Sequence, residues 1–479
     1  MPVMYFFHSH RFTRTSTASL ASALFALVLL ACAPNVDAAN WYRLSQADAR
    51  NTDRAALIRQ DGVLHAIFRH KGAASTQGLF HRTVSAAGVP SVTTDTVFAD
   101  WGSFTNPDIV SEGPSFRLLF SGLRSVDVTD PYTSGSLYSA VGNGASWTLQ
   151  APHGSSNKAY ASTEVSGDRS LDGTLLSTWT GTGLLLLDAG LGASQQDLEN
   201  SCCPYSSNLG ADAKNNAVWL SWFSNVTGRY GQYVRQAYPT LGESIYLPGS
   251  ANANRSSALS PDDRLPITGR IGATGVYIAY CSGYPTCTVL RLIRAGNSTS
   301  IPLTTSAKIG SSFRNVDIAA APSGRLWVMW SSYSKLFVAR TNKAATRIGA
   351  VQVLAGPSGM DTIYDVSGQG SAGPLDLVGN FDTSAGVALW TRHIFPKLSM
   401  AIAPAKVDND MAHVVKFTVT DAGDPLQGAK VKVMGTTYTT NSAGRVSVTV
   451  PKGTSTGRKP VKATKSGYTP ATGVVRVVN

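Results

Sequence analysis

The side chains in this sequence best suited to chemistry are polar residues that recur just ahead of short apolar segments: Arg54, Asp108, Glu164, Asn208, Arg264, Asp317 and Asp365. Two carboxylates held together can act as general acid and base on a glycosidic bond, at roughly 6.5–9.5 Å for inversion or roughly 5–5.5 Å for retention. Asp108 and Glu164, from neighbouring repeats, are the candidate catalytic pair. Arg54, Arg264 and Arg314 offer a second chemistry, because a guanidinium clamps a carboxylate through two parallel hydrogen bonds and would recognise an acidic sugar. Asn208, Asp317 and Asp365 extend this polar lining, which either binds ligand or hydrates a water-filled channel. His65, His70 and His81 could supply a base for a lyase reaction, although alternation turns His65 away from Leu64 and into the packing between repeats. No metal site is expected. The spacing of His65 and His70 does not match zinc, and Asp127 and Asp130 in SVDVTDP read as a solvated turn before a calcium loop. No cofactor is expected either, since no Gly-rich phosphate loop opens a helix and no GxSxG or HExxH string is present.

A repeat positions these residues. An eight-residue pattern, a turn residue followed by alternating apolar positions ending in an aromatic, reads seven times: DGVLHAIF from Asp61, GPSFRLLF from Gly113, DGTLLSTW from Asp172, NNAVWLSW from Asn215, ATGVYIAY from Ala273, SGRLWVMW from Ser323 and TSAGVALW from Thr383. The terminal aromatics lie 52, 59, 43, 58, 50 and 60 residues apart, which fits one four-stranded blade per copy with variable loops. The last copy departs from the pattern at Gly386. Each copy is followed by a second alternating strand, from GLFHRTV in the first to LSMAIAP in the last. Short segments such as RAALI, NPDIV, SSNLG, RLPIT and NVDIA precede the copies and would line the axis. The fold class is therefore all-β: a seven-bladed β-propeller over residues 40–403, or six or eight blades if an end copy is misread, followed by a small β-sandwich over 404–479. An open ring leaves unpaired strand edges, so WYRLS at 41–45 is predicted to complete the last blade.

The blade repeat resembles the sialidase-like and BNR-repeat propellers of secreted bacterial proteins. The Asp-box of sialidases, Ser-x-Asp-x-Gly-x-x-Trp, is not matched; the nearest string, SLDGTLLSTW from Ser170, has different spacing. The resemblance thus implies architecture without sialidase activity. The tail segments KFTVTDAGDPLQGAKVKV, TTNSAGRVSVTVPKG and VKATKSGYTPATGVVRV resemble bacterial Ig-like and carboxypeptidase-regulatory-like sandwiches, through GDPLQGA at 423–429, TNSAG at 440–444 and SGY at 466–468. That resemblance implies a spacer, anchor or adhesion unit.

Residues 1–39 read as a secretion signal, with Arg11 and Arg14 ahead of LASALFALVLLACA and small residues near Ala38 for cleavage. Leu29, Leu30, Ala31 and Cys32 also resemble a lipobox, which would place a lipid anchor at Cys32. Either route puts the mature protein in the periplasm, on the cell surface or in the medium, with no transmembrane span. Four cysteines remain, and an even number in an exported chain points to disulfides. Cys281 and Cys287 bracket the turn SGYPT, while adjacent Cys202 and Cys203 either join each other or reach elsewhere.

The net charge of +12 is concentrated at the C-terminal end, where residues 404–479 hold 11 Lys and Arg against 4 Asp and Glu. That asymmetry favours an acidic envelope polymer or membrane as partner, and not nucleic acid. The leading expectation is an exported protein that binds a glycan or another polar cell-envelope component, helped by aromatics such as Tyr205 and Tyr284. A glycoside hydrolase or polysaccharide lyase working at the channel mouth and a protein-interaction scaffold are the alternatives.

Overall fold

The computed structural model describes residues 41–47, 54–71, 76–124, 136–150, 165–181, 184–189, 195–200, 204–250, 265–283, 287–310 and 313–479. Short runs of alternating apolar residues, punctuated by Gly, Asn and Asp, become strands almost throughout. Among the described residues up to Ile394 they build seven separate antiparallel sheets, six of four strands and one of five. In five of them the repeat copy is the second strand, namely Val63–Lys71, Leu175–Gly181, Ala217–Ser224, Val276–Ser282 and Arg325–Ser331, and in the five-stranded sheet it is Ser115–Leu123, which follows Ser103–Phe104 and Asp108–Glu112. Their terminal aromatics, from Phe68 to Trp330, are all buried.

The seventh copy needs correction. TSAGVALW covers a turn and the start of Ala388–Ile394, which is the third strand of its sheet. The second strand is Leu375–Thr383, and its aromatic is Phe381, fully buried, where Trp390 is only partly so. Gly386, the misfit in the pattern, holds a φ of 95° inside that turn, a conformation that favours glycine.

The inner strands of the seven sheets are Ala56–Gln60, Asp108–Glu112, Val165–Arg169, Pro204–Asp212, Ile267–Gly269, Arg314–Ala321 and Met360–Gln369. Each contacts the inner strand of the next sheet, and the last contacts Ala56–Gln60, so the seven form a closed cycle. Every interface between neighbouring sheets has its own apolar cluster, such as Phe313, Trp330 and Phe337 between the fifth and sixth. Burying one such side chain contributes about 1.5–3 kcal/mol. The chain start seals the cycle as WYRLS predicts, with Tyr42 opposite Thr391 and Arg43 opposite Trp390. A polar clasp reinforces the same seam: Arg59 Nε donates to Asp376 at 3.1 Å, and His393 Nδ1 lies 2.8 Å from the other carboxylate oxygen.

Two further sheets, over residues 399–478, enclose one cluster of valines with Phe417. Here too a strand changes allegiance. Ser399–Ala403, part of LSMAIAP, pairs with His413–Asp421 of this C-terminal unit and not with a repeat. An alternating strand packs equally well on either core, and its own pattern does not name its partner. The unit is fastened to the sixth sheet. Buried Arg340 donates to Asp421 at 2.5 Å, Arg325 meets Asp424 at 2.6 Å, and the Tyr468 hydroxyl donates to Asp421 at 3.2 Å.

Candidate functional site

The inner strands all start at one end of the ring, and there the strands of the fourth, sixth and seventh sheets each carry a bulge, between Tyr205 and Asn208, Arg314 and Asp317, and Ile363 and Asp365. Ser206 and Asn315 take left-handed backbone conformations inside two of them, with φ of 58° and 44°. Bulges re-aim side chains and recur beside active sites. In the seventh sheet the inserted residue is Tyr364, which stands 45% exposed.

The sixth, seventh and first sheets together present cations and aromatic rings at this mouth. Arg54 Nη2 donates to Asp317 Oδ2 at 2.9 Å. Burial pushes the Asp317 carboxyl up, while Arg54 and the amides of Ile318 and Gly368 hold it down. The Arg314 guanidinium lies 4.2 Å above the ring of Tyr333, which is 64% exposed in the loop after Arg325–Ser331. The Tyr364 hydroxyl donates to Asp382 at 3.3 Å, and desolvation together with the charges of Asp382 and Asp361 raises its pKa above the ordinary phenol value. Such a surface can stack a sugar ring and pair with a carboxylate.

The second to fourth sheets use polar residues differently. Asp108 accepts the amides of Ile109 and of Gly167 in the next sheet, both at 2.9 Å. Asp168 accepts Ala211 of the next sheet at 2.7 Å, and Asp212 accepts Gly275 of the next again at 2.7 Å. Asn208 accepts from the Ser166 hydroxyl and donates to the Leu265 carbonyl at 2.7 Å. These side chains lace successive inner strands together. Sequence reasoning missed Asp168, whose carboxyl burial pushes up to about 7, with the Asp108 charge adding to the effect. Its signal is the recurrence of Asp168 and Asp212 toward the ends of successive inner strands, whereas the residues singled out by the sequence stand at the beginnings.

Asp365 is buried within the inner strand of the seventh sheet. Glu164, Arg264, Cys202, Cys203, Tyr284, Asp127, Asp130, Cys32 and the side chain of Tyr205 lie outside the described residues. Cys281 and Cys287 are joined by a disulfide with Cα atoms 5.4 Å apart. His65 packs between sheets, 4.6 Å from the Phe116 ring, with its Nδ1 3.0 Å from His81 Nε2; His70 meets Phe80 edge-on. Burial lowers both His65, to about 4, and His81, and for His65 the neighbouring histidine adds to the effect.

At the opposite end of the ring a cleft of about 220 Å³ opens between the fourth and fifth sheets beside Trp219, Gln236 and Arg294. In the C-terminal unit, Asp408, Asp410 and His413 bring potential cation ligands within 4.8 Å of one another, though both carboxylates are exposed as ordinary surface groups are. No helix among the described residues is long and apolar enough to cross a membrane.

No known protein-family profile matches the sequence, and no curated protein does. Solved structures similar to it are distant. A mutant sialidase of Trypanosoma rangeli with trans-sialidase activity shares 11% identity at a TM-score of 0.39, over 74% of this chain and 58% of that one. A polysaccharide lyase shares 9% at 0.42, over 74% and 92%. An arabinanase of Bacillus subtilis shares 13% at 0.31, over 71% and 92%. The chain thus spans 58% of the length of that sialidase. All three are propeller folds.

Proposed function

We propose an exported protein in which a seven-bladed β-propeller binds an acidic glycan at its mouth, and an Ig-like sandwich, from Ser399–Ala403 onward, serves as spacer or anchor. The closed cycle of seven inner strands supports the blade count. The observation that carries the function is the stack of Arg314, at the bulged start of its inner strand, on the exposed ring of Tyr333. A sugar ring stacks on an aromatic face while a guanidinium pairs with its carboxylate. The test is adsorption of the mature protein to neutral and acidic polysaccharides. Uptake of acidic chains that weakens in Tyr333→Ala and Arg314→Gln is the expected result; uptake indifferent to both variants would remove the mouth as the site.

A further inference from the structure

Six of the eleven basic residues over 404–479 lie on one face of one sheet. Its strands run in the order Lys406–Asp408, Ala471–Val478, Gly457–Thr464, Lys430–Val433 and Thr436–Thr439. Val407, Val431, Val461, Val475 and Val477 point into the core, so the residues between them point outward. On that outer face Lys406 lies opposite Arg476, Arg476 opposite Arg458, and Lys462 opposite Lys432. Lys430 follows two positions along. All six are exposed, and none forms an ion pair among the described residues. Thr437, Thr439 and Thr472 share the face.

Like charges directly opposite one another destabilise a sheet. Three such pairs on one small sheet have no ion-pair partner among the described residues, whereas a ligand with regularly spaced negative charge would provide one. With neighbouring strands about 4.8 Å apart, the cations form two ridges across the sheet, separated by the Pro460–Val474 pair. The face carries no large apolar side chain to enter a bilayer, and its threonine hydroxyls suit sugar oxygens. We infer that this face binds a linear acidic polysaccharide, as a second contact independent of the mouth. This does not rest on the mouth reading.

The test uses the mature full-length chain with Tyr333→Ala and Arg314→Gln in place, so that the mouth contributes nothing, and immobilised polygalacturonate as probe. Replacing Lys432, Lys462, Arg458 and Arg476 by Gln should weaken binding at least about tenfold at low salt. The parent's affinity should fall steeply between about 50 and 200 mM salt through counterion release, and the variant's should barely change. Its melting temperature should hold or rise, because the opposed charges are gone. Exchanging the same four positions Lys for Arg and Arg for Lys should preserve binding. Salt-insensitive binding by the parent, an unaffected Gln variant, or stronger binding to phosphatidylserine vesicles than to polygalacturonate would each overturn the inference.

Discussion

The second to fourth sheets and the sixth, seventh and first sheets place the same kinds of side chain near the ring axis and use them in opposite ways. In the former, Asp108, Asp168 and Asp212 spend their oxygens on backbone amides of the next sheet. In the latter, charge meets other side chains: Arg54 with Asp317, Arg314 on Tyr333, Tyr364 with Asp382. A carboxylate bound to fixed amides is a fastener. A guanidinium lying over an exposed ring can exchange that contact for a ligand's. Residue type alone does not separate these roles; the partner does.

The contrast can be broken at its most strongly fastened point first. Asp421→Ala strands Arg340 in the buried junction and should cost about 3–5 kcal/mol in urea unfolding; a loss under about 1 kcal/mol would show the junction to be incidental. Asp212→Ala, which orphans the Gly275 amide, should cost about 1–3 kcal/mol. If it costs no more than a surface change, the lacing is not structural.

Two titrations sharpen the comparison further. From about pH 4 to 7 an unfolded Asp168 is ionised while the folded one keeps its proton, so its contribution to stability declines as pH rises through that window. Asp168→Asn should flatten the slope of melting temperature in that range. His65 acts in the other direction: below pH 6.5 the unfolded imidazole gains a proton that the folded one refuses until about 4, so acidification destabilises. His65→Gln should shrink that acid-side decline, to which buried His81 also contributes, and an unchanged profile would sink the assignment.

The smallest effect belongs to the mouth. Tyr333→Ala should leave stability within about 0.5 kcal/mol of wild type, since the ring is exposed, while weakening glycan binding about fivefold. A marked fall in melting temperature would place Tyr333 among the fasteners.

The repeat was legible because a buried aromatic closes its strand in sheet after sheet, from Phe68 to Trp330. It failed at the seventh, where Ala388–Ile394 alternates as well as Leu375–Thr383 and offers Trp390 as a decoy for Phe381. At the site, the polar residues ahead of the inner strands could be named but not their partners: Arg54 and Asp317 are 263 positions apart. Tyr333 and Tyr364 escaped notice because most aromatics in this chain are core, and the bulge that exposes Tyr364 leaves no mark in residue type.

The Leu389 amide donates to the hydroxyl of Ser45, 344 residues earlier. The ring is thus sewn shut with thread from its own beginning. The entropy of closing so long a loop grows only slowly with length, but contacts between such distant positions form late. A chain without Ala388–Ile394 cannot make this closure and leaves strand edges unpaired. Closure therefore acts as a completeness check: only a chain that has been made through its seventh sheet can hide its edges from aggregation and proteolysis.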